Sequence, residues 1–342
     1  MKPTVYVPAV AKFAGDLNTS YGFLKDFQDR GFDTGLMLVV LGGRASLEGE
    51  LRDKQYGNFK DLTTRVGDLP VIIMASNRPL EDLDFYHHPE KSAEHIKAAV
   101  DFARGLPGAL DHVVTFHLNS LLKPEEWAAA GVDVKERYSY FGKKFEEDVL
   151  PALRAVADYA ASKGVKLQIE TCPVPEFGDC DDGDIEDGIP VNQLGNPFPL
   201  FSGRGADQIR EAGLGVALDL CHTYTLYRAA KEKAGTDGFF DAYRGLFPRD
   251  VELLLSGSLG KEVSSLKAGE IVHLNDSRGL FVPGESVHEE GIALGEGDIS
   301  SLEEIVPELF RSDLRVVFEV HETDFDNRPN LRTSMDYVLR RI

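Results

Sequence analysis

Eight short β-rich runs alternate with longer segments of helical periodicity, and this alternation restricts the fold more than any other feature of the chain. The runs are Thr4–Val10, Leu36–Leu41, Val71–Ala75, His112–His117, Lys166–Glu170, Gly215–Leu220, Glu270–Leu274 and Arg315–Val320. Several are almost wholly apolar, as strands are when both faces of a parallel sheet are covered. Helical segments are predicted at Tyr21–Asp29, within Ser46–Arg65, from Pro89 onward, over Glu136–Ser162 with a kink at Pro151, at Gly205–Glu211, within Phe239–Leu255, over Ser300–Phe310 and over Leu331–Ile342. Repeated βα units predict an α/β protein, a single (β/α)8 TIM barrel over residues 1–342. A doubly wound open sheet is the alternative, but no GxGxxG follows the first run.

Two long stretches interrupt the βα rhythm, Cys172–Gly203 and Thr223–Gly269. Both follow a strand, the fifth and the sixth, so both belong to the barrel face where βα loops build active sites. The 342 residues suit a barrel enlarged in this way.

Charge and cysteine content narrow the partners. The formal net charge is −20, and no basic run stands against it. Nucleic acids are bound by many Lys and Arg side chains that neutralise phosphates, so this balance argues against them as partners. No stretch approaches twenty apolar residues, so no membrane span is expected. The N-terminal residues, broken by Pro3, Pro8 and Lys12, lack the apolar core of a signal peptide and read as a first strand. Cys172, Cys180 and Cys221 are too few and too irregularly spaced for a disulfide framework, which points to a reducing cytoplasm.

The informative residues stand at strand ends. The runs VVTFH, KLQIE, GVALDLCH, EIVHLND and RVVFE carry at their ends His117, Glu170, Asp219 with His222, His273 with Asn275 and Asp276, and Glu319. One buried, unpaired carboxylate costs several kcal/mol. Several converging at one barrel mouth repel one another unless a cation holds them. Glu170, Asp219, His273 and Glu319, from strands five to eight, therefore read as ligands of a divalent ion. Each alone has a plainer alternative: a strand-end carboxylate paired with an arginine, Asp219 capping the next helix, or a structural histidine. Glu285, Glu289 and Glu290 read as surface charge, and His87 and His88 lie in a polar loop.

The motifs LQIET at 167–171, ALDLCHTY at 217–224, VHLNDSRG at 272–279, HEEGIALGEGDI at 288–299 and VVFEVHE at 316–322 span the C-terminal half. With VVTFHLNS at 113–120 they resemble the xylose-isomerase-like TIM-barrel superfamily, which joins sugar isomerases and epimerases with endonuclease IV. The resemblance implies that Glu170, Asp219, His273 and Glu319 form the shared metal site. It implies a substrate contact for His222 as in the epimerases, or a further metal there as in endonuclease IV. His117 matches a histidine ligand of the nuclease branch. His288 falls where that branch has a D-x-H pair, but Ser286 occupies the first position. MASNR after the third strand lacks the histidine expected there, so the single-metal sugar site is the one that looks intact.

The expected activity is a metal-dependent isomerase or epimerase acting on a polyhydroxy carbonyl compound, a sugar or sugar phosphate. Glu170 and Glu319 are the expected acid–base pair, acting through an enediolate that the ion stabilises. Substrate contacts are expected from His222, His117, His288 and Arg278, with a salt bridge to a nearby acid as the alternative for Arg278. Mn(II), Mg(II) or Co(II) suits an oxygen-rich site with one imidazole, and Zn(II) fits if His117, His222 and His288 ligate further ions. The alternatives are an endonuclease-IV-like phosphodiesterase on abasic DNA and an accessory metal-barrel subunit. A homo-oligomer is compatible with the sequence, which leaves the substrate open.

Overall fold

The computed structural model describes residues 2–75, 83–118, 120, 122–172, 195–280 and 289–342, with the backbone alone at 185–186, 189–190 and 288. All eight expected runs are strands. In chain order they are β1 (Thr4–Ala9), β2 (Asp33–Val39), β3 (Leu69–Met74), β4 (Ala109–His117) and β5 (Lys166–Glu170), then β8 (Gly215–Asp219), β9 (Ile271–Leu274) and β12 (Arg315–Phe318). The intervening numbers belong to two small antiparallel pairs, β6 (Ile185–Glu186) with β7 (Ile189–Pro190), and β10 (Asp276–Gly279) with β11 (His288–Ile292). The eight long strands pair in parallel in the order β1-β12-β9-β8-β5-β4-β3-β2 and close on themselves. The chain is thus a TIM barrel, as the alternation predicts.

Successive side chains of a strand point to opposite faces, and this sorts the residues of the barrel. Val5, Leu36, Ile73, Phe116, Ile169, Leu218, Val272 and Phe318 point outward into the main core beneath the helices. Tyr6, Met37, Ile72, Val113, Ala217, Ile271 and Val317 point inward and fill the barrel. Gly35 makes room for that filling. A Cβ there would lie 2.6 Å from the Tyr6 ring and 2.4 Å from the Pro70 carbonyl oxygen. At the opening end of the strands, Arg315 bonds the Gly269 carbonyl and Asp111, and Lys166 reaches Asp111 at 2.7 Å.

Several helices differ from expectation for identifiable reasons. Instead of one helix over Tyr21–Asp29 there are two, Ala14–Phe23 and Lys25–Asp29. The first is rich in Gly, Asn, Thr and Ser, which favour helices weakly, and burial of Leu17 and Ser20 holds it instead. The bend expected at Pro151 is a π-turn over Phe145–Val149, just before the proline whose missing N–H breaks the regular ladder. The stretch Thr223–Gly269 carries most of a helix over Leu220–Lys233, then Phe239–Ala242, Pro248–Ser256 and Leu259–Ser265. Residues 173–194 of the other stretch, Cys180 among them, lie outside the described residues, apart from the β6–β7 backbone. Cys172 and Cys221 are buried. Among the described residues no helix is long and apolar enough to cross a membrane.

Candidate metal centre

The alternation that fills the barrel also aims its polar residues. Ala217, Ile271 and Val317 point inward, so Asp219, His273 and Glu319, two positions further along, point inward one layer higher. Glu170 stands at the end of β5 beside them. The strands concerned, β5, β8, β9 and β12, are consecutive neighbours in the barrel, and Asp219 and His273 lie on one rung. Four side chains from an unbroken arc of half the barrel thereby meet at the C-terminal mouth.

Their potential ligand atoms all lie within 4.8 Å of one another. His273 Nδ1 is 2.9 Å from Glu170 Oε1 and 3.9 Å from Asp219 Oδ2, and it also touches Glu319 Oε2. Oxygens and nitrogens bound about 2.1 Å from a single ion span a similar range. Glu170, Asp219 and His273 are at most 2% exposed, whereas the Glu319 side chain is 26% exposed and forms the open edge. Glu170 Oε2 is buried with no hydrogen-bond partner. Three carboxylates around one imidazole, one of their oxygens left unanswered in the interior, make a donor set that fits a divalent cation.

The electrostatics express the same demand for positive charge. Burial pushes the Glu170 carboxyl upward, but His273 and His117 outweigh it and hold it well below the ordinary carboxylate range. Burial likewise disfavours the His273 imidazolium, yet Glu170 and Glu319 hold its proton well above the ordinary histidine range.

A supporting layer fixes these side chains. Asp219 Oδ1 accepts from the His222 backbone N–H at 2.9 Å, and so caps the helix Leu220–Lys233. Its Oδ2 accepts from Asn275 Nδ2 at 2.7 Å. The helix-cap alternative for Asp219 is thus realised through Oδ1, while Oδ2 is the oxygen 3.9 Å from His273 Nδ1. Asn275 Oδ1 in turn accepts from the Cys221 N–H at 3.0 Å, and Thr171 Oγ1 accepts from the Asp219 N–H at 2.9 Å. Thr171 was not singled out from the sequence. Its position directly after a strand-end glutamate was the available signal.

His222 and His117 flank the cluster with rings 5.8 Å apart and nearly perpendicular. His222 Nδ1 donates to the Thr171 carbonyl at 2.8 Å, and Nε2 faces Glu290 Oε2 at 3.7 Å. Burial pulls the His222 pKa down, but Asp219, Glu290 and Glu170 raise it to about 9. His117 Nε2 lies 3.2 Å from Glu170 Oε1. Burial again opposes its charged form, and Cys172 and Glu170 hold its pKa well above the usual value.

The remaining expectations fare differently. Arg278 Nη1 pairs with Glu289 at 2.5 Å and Nη2 donates to the Glu296 carbonyl at 2.7 Å, which is the salt-bridge alternative. Glu290, expected as surface charge, is instead only 9% exposed and stands with its Oε2 3.7 Å from His222 Nε2. The reason is the β10–β11 hairpin, which folds it inward and which strand periodicity over so short a run did not reveal. His87 is not merely solvated, since it bridges Asp84 at 2.7 Å and Glu126 at 2.5 Å. The side chains of His288 and Ser286, and residues 76–78 of the MASNR segment, lie outside the described residues.

No protein-family model matches the chain, and no curated protein matches it in sequence. Solved structures do match over nearly its whole length. A D-tagatose 3-epimerase-like protein aligns with a TM-score of 0.53 at 17% identity, covering 99% of this chain and 96% of the other. An L-ribulose 3-epimerase aligns with a TM-score of 0.54 at 14% identity, covering 99% and 93%. A xylose isomerase domain protein from Planctomyces limnophilus gives 0.50 at 11% identity, covering 99% and 96%. At such identities the likeness is one of fold, the same closed parallel barrel.

Proposed function

We propose that the chain is a divalent-metal-dependent isomerase or epimerase of a sugar or sugar phosphate. The observation that carries this reading is the inward cluster of Glu170, Asp219, His273 and Glu319, whose ligand atoms lie within 4.8 Å of one another. The barrel of an L-ribulose 3-epimerase is similar in fold. Glu170, Asp219, His273 and Glu319 would hold the ion, and three carboxylates with one imidazole favour Mn(II), Mg(II) or Co(II), with Zn(II) an option if His117 and His222 also ligate. Such an ion supplies a Lewis acid that polarises a substrate carbonyl.

The chain's own residues supply the proton chemistry. A hydrogen on the carbon beside a carbonyl leaves readily only if a base is placed against it. Glu170 and Glu319 are the two carboxylates at the mouth suited to remove and return that proton. Glu170 is enclosed, with Oε2 unpartnered, and Glu319 stands at the open edge. His222, its ring fixed by the Thr171 carbonyl, presents Nε2 to a substrate oxygen.

The test has two arms. Isothermal titration with Mn(II) should show an ion bound by the parent and at least about tenfold weaker binding by His273→Ala. In D2O, the Mn(II)-loaded parent should incorporate deuterium into one or more members of a panel of ketopentoses and ketohexoses. Glu170→Gln and Glu319→Gln should stay folded by circular dichroism and lose that exchange. Undiminished exchange in both variants, or full exchange in the metal-free parent, overturns the reading.

A further inference from the structure

Glu290 is a carboxylate that the metal cluster does not account for. It is 9% exposed, and its carboxylate faces the His222 ring beside that cluster. Its backbone is pinned on two sides. The β10–β11 hairpin that carries it is tied down by Asp276, whose carboxylate accepts backbone N–H bonds from Ser277, Gly295, Gly297 and Ile299. The next residue, Gly291, accepts from the His321 N–H at 2.6 Å, which stitches the hairpin to the segment just past Glu319. Glu290 is thus held between His222 and the end of β12.

We propose that Glu290 and His222 form a hydroxyl-binding subsite that selects polyhydroxy substrates beside the metal centre. Their facing atoms, Glu290 Oε2 and His222 Nε2, are 3.7 Å apart, too far for a direct hydrogen bond. An oxygen beside the pair reaches both at about 2.8 Å. Because His222 Nδ1–H is committed to the Thr171 carbonyl, Nε2 is the ring atom left to meet a ligand. A carboxylate only accepts, whereas a hydroxyl both donates and accepts. One hydroxyl can take a bond from Nε2–H and give its own proton to Glu290. If Nε2 is bare, two neighbouring hydroxyls can each donate, one to the ring and one to the carboxylate. A carbonyl or ether oxygen satisfies neither arrangement, so the pair discriminates in favour of a polyol chain. A second cation is the poorer occupant of this pair, since Glu290 belongs to none of the donor groups among the described residues whose ligand atoms lie close enough to share an ion.

The subsite rests on the reading of the neighbouring cluster as a metal centre, and its test separates the two. The Mg(II)-loaded protein, labelled with 15N-histidine, is titrated with ribitol, arabinitol and xylitol while the His222 ring signals are followed. At least one polyol should bind and shift Nε2. Glu290→Ala should weaken that binding at least about tenfold, and Glu290→Gln, which keeps the size but not the charge, by less. Mn(II) stoichiometry, measured in parallel, should be the same in parent and variants. Equal polyol affinity in parent and Glu290→Ala, or no polyol binding to a metal-loaded parent, overturns the subsite alone. Loss of a bound ion in Glu290→Ala would make Glu290 a ligand and also overturn it. A parent that binds no ion refutes the metal centre, and the subsite with it.

Discussion

Asp276 offers the sharpest quantitative check on how the hairpin is held. Its Oδ1 accepts from Ser277 at 2.8 Å and Ile299 at 3.1 Å, both buried residues, and its Oδ2 accepts from Gly295 and Gly297, each at 3.0 Å and partly exposed. Asp276→Asn keeps one accepting oxygen, which serves the buried pair. The other pair then faces an amide NH2 and turns to water, at about 1 kcal/mol per bond, or about 2 kcal/mol in all. Asp276→Ala strips the buried pair as well, at about 1–3 kcal/mol per orphaned donor, for a total of about 4–8 kcal/mol. Unfolding entropy near 2.1 cal/mol/K per residue makes about 0.7 kcal/mol/K for a 342-residue chain. Two-state melts should therefore fall by about 3 °C for Asp276→Asn and about 6–11 °C for Asp276→Ala. Differential scanning calorimetry measures the shifts, and hydrogen exchange should show faster exchange at Ser277 and Ile299 in the alanine variant only. An alanine variant melting within about 1 °C of the parent, or below which the asparagine variant falls, refutes the assignment.

Three further outcomes are expected. Gly35→Ala should destabilise by about 3 kcal/mol, because its Cβ meets both the Tyr6 ring and a backbone carbonyl that cannot swing aside, and a melt indistinguishable from the parent's would contradict this. Burial opposes the charged form of His87, but Glu126 and Asp84 outweigh it and raise its pKa. Its stabilisation is therefore full below the unfolded value near 6.5 and is lost as pH rises through the higher folded value. The melting difference between parent and His87→Ala should be larger at pH 6 than at pH 9, and a difference that grows with pH would refute the pairing. Glu170 and Glu319 hold a proton on His273 against its burial, so Mn(II) binding should release it and tighten as pH rises. Calorimetry in buffers of different ionisation enthalpy counts the protons, and zero release between pH 6 and 8 would contradict the assignment.

The barrel was legible from the chain alone because buried parallel strands are short apolar runs, and eight of them with helical intervals admit few closed arrangements. The strand-end residues were legible for a related reason. Glu170, Asp219, His273 and Glu319 interrupt apolar runs at one end only, and the pleat then dictates their inward direction. The helix after Asp219 was less visible. Leu220 and Cys221 extend an apolar run and read as strand, although Asp219 already caps the helix that they begin.

What tertiary structure decided is which charges are interior and which merely neighbour one another in sequence. Glu289 and Glu290 are adjacent and identical, yet one pairs with Arg278 at the surface and the other is folded against His222. No local pattern separates them, because their fates follow from the β10–β11 hairpin, its bulge, and an Asp276 cradle that draws its donors from as far along the chain as Ile299. Local periodicity reports the face a residue takes relative to its own strand. The partner that face meets is set by contacts between distant segments, and only the folded chain brings those together.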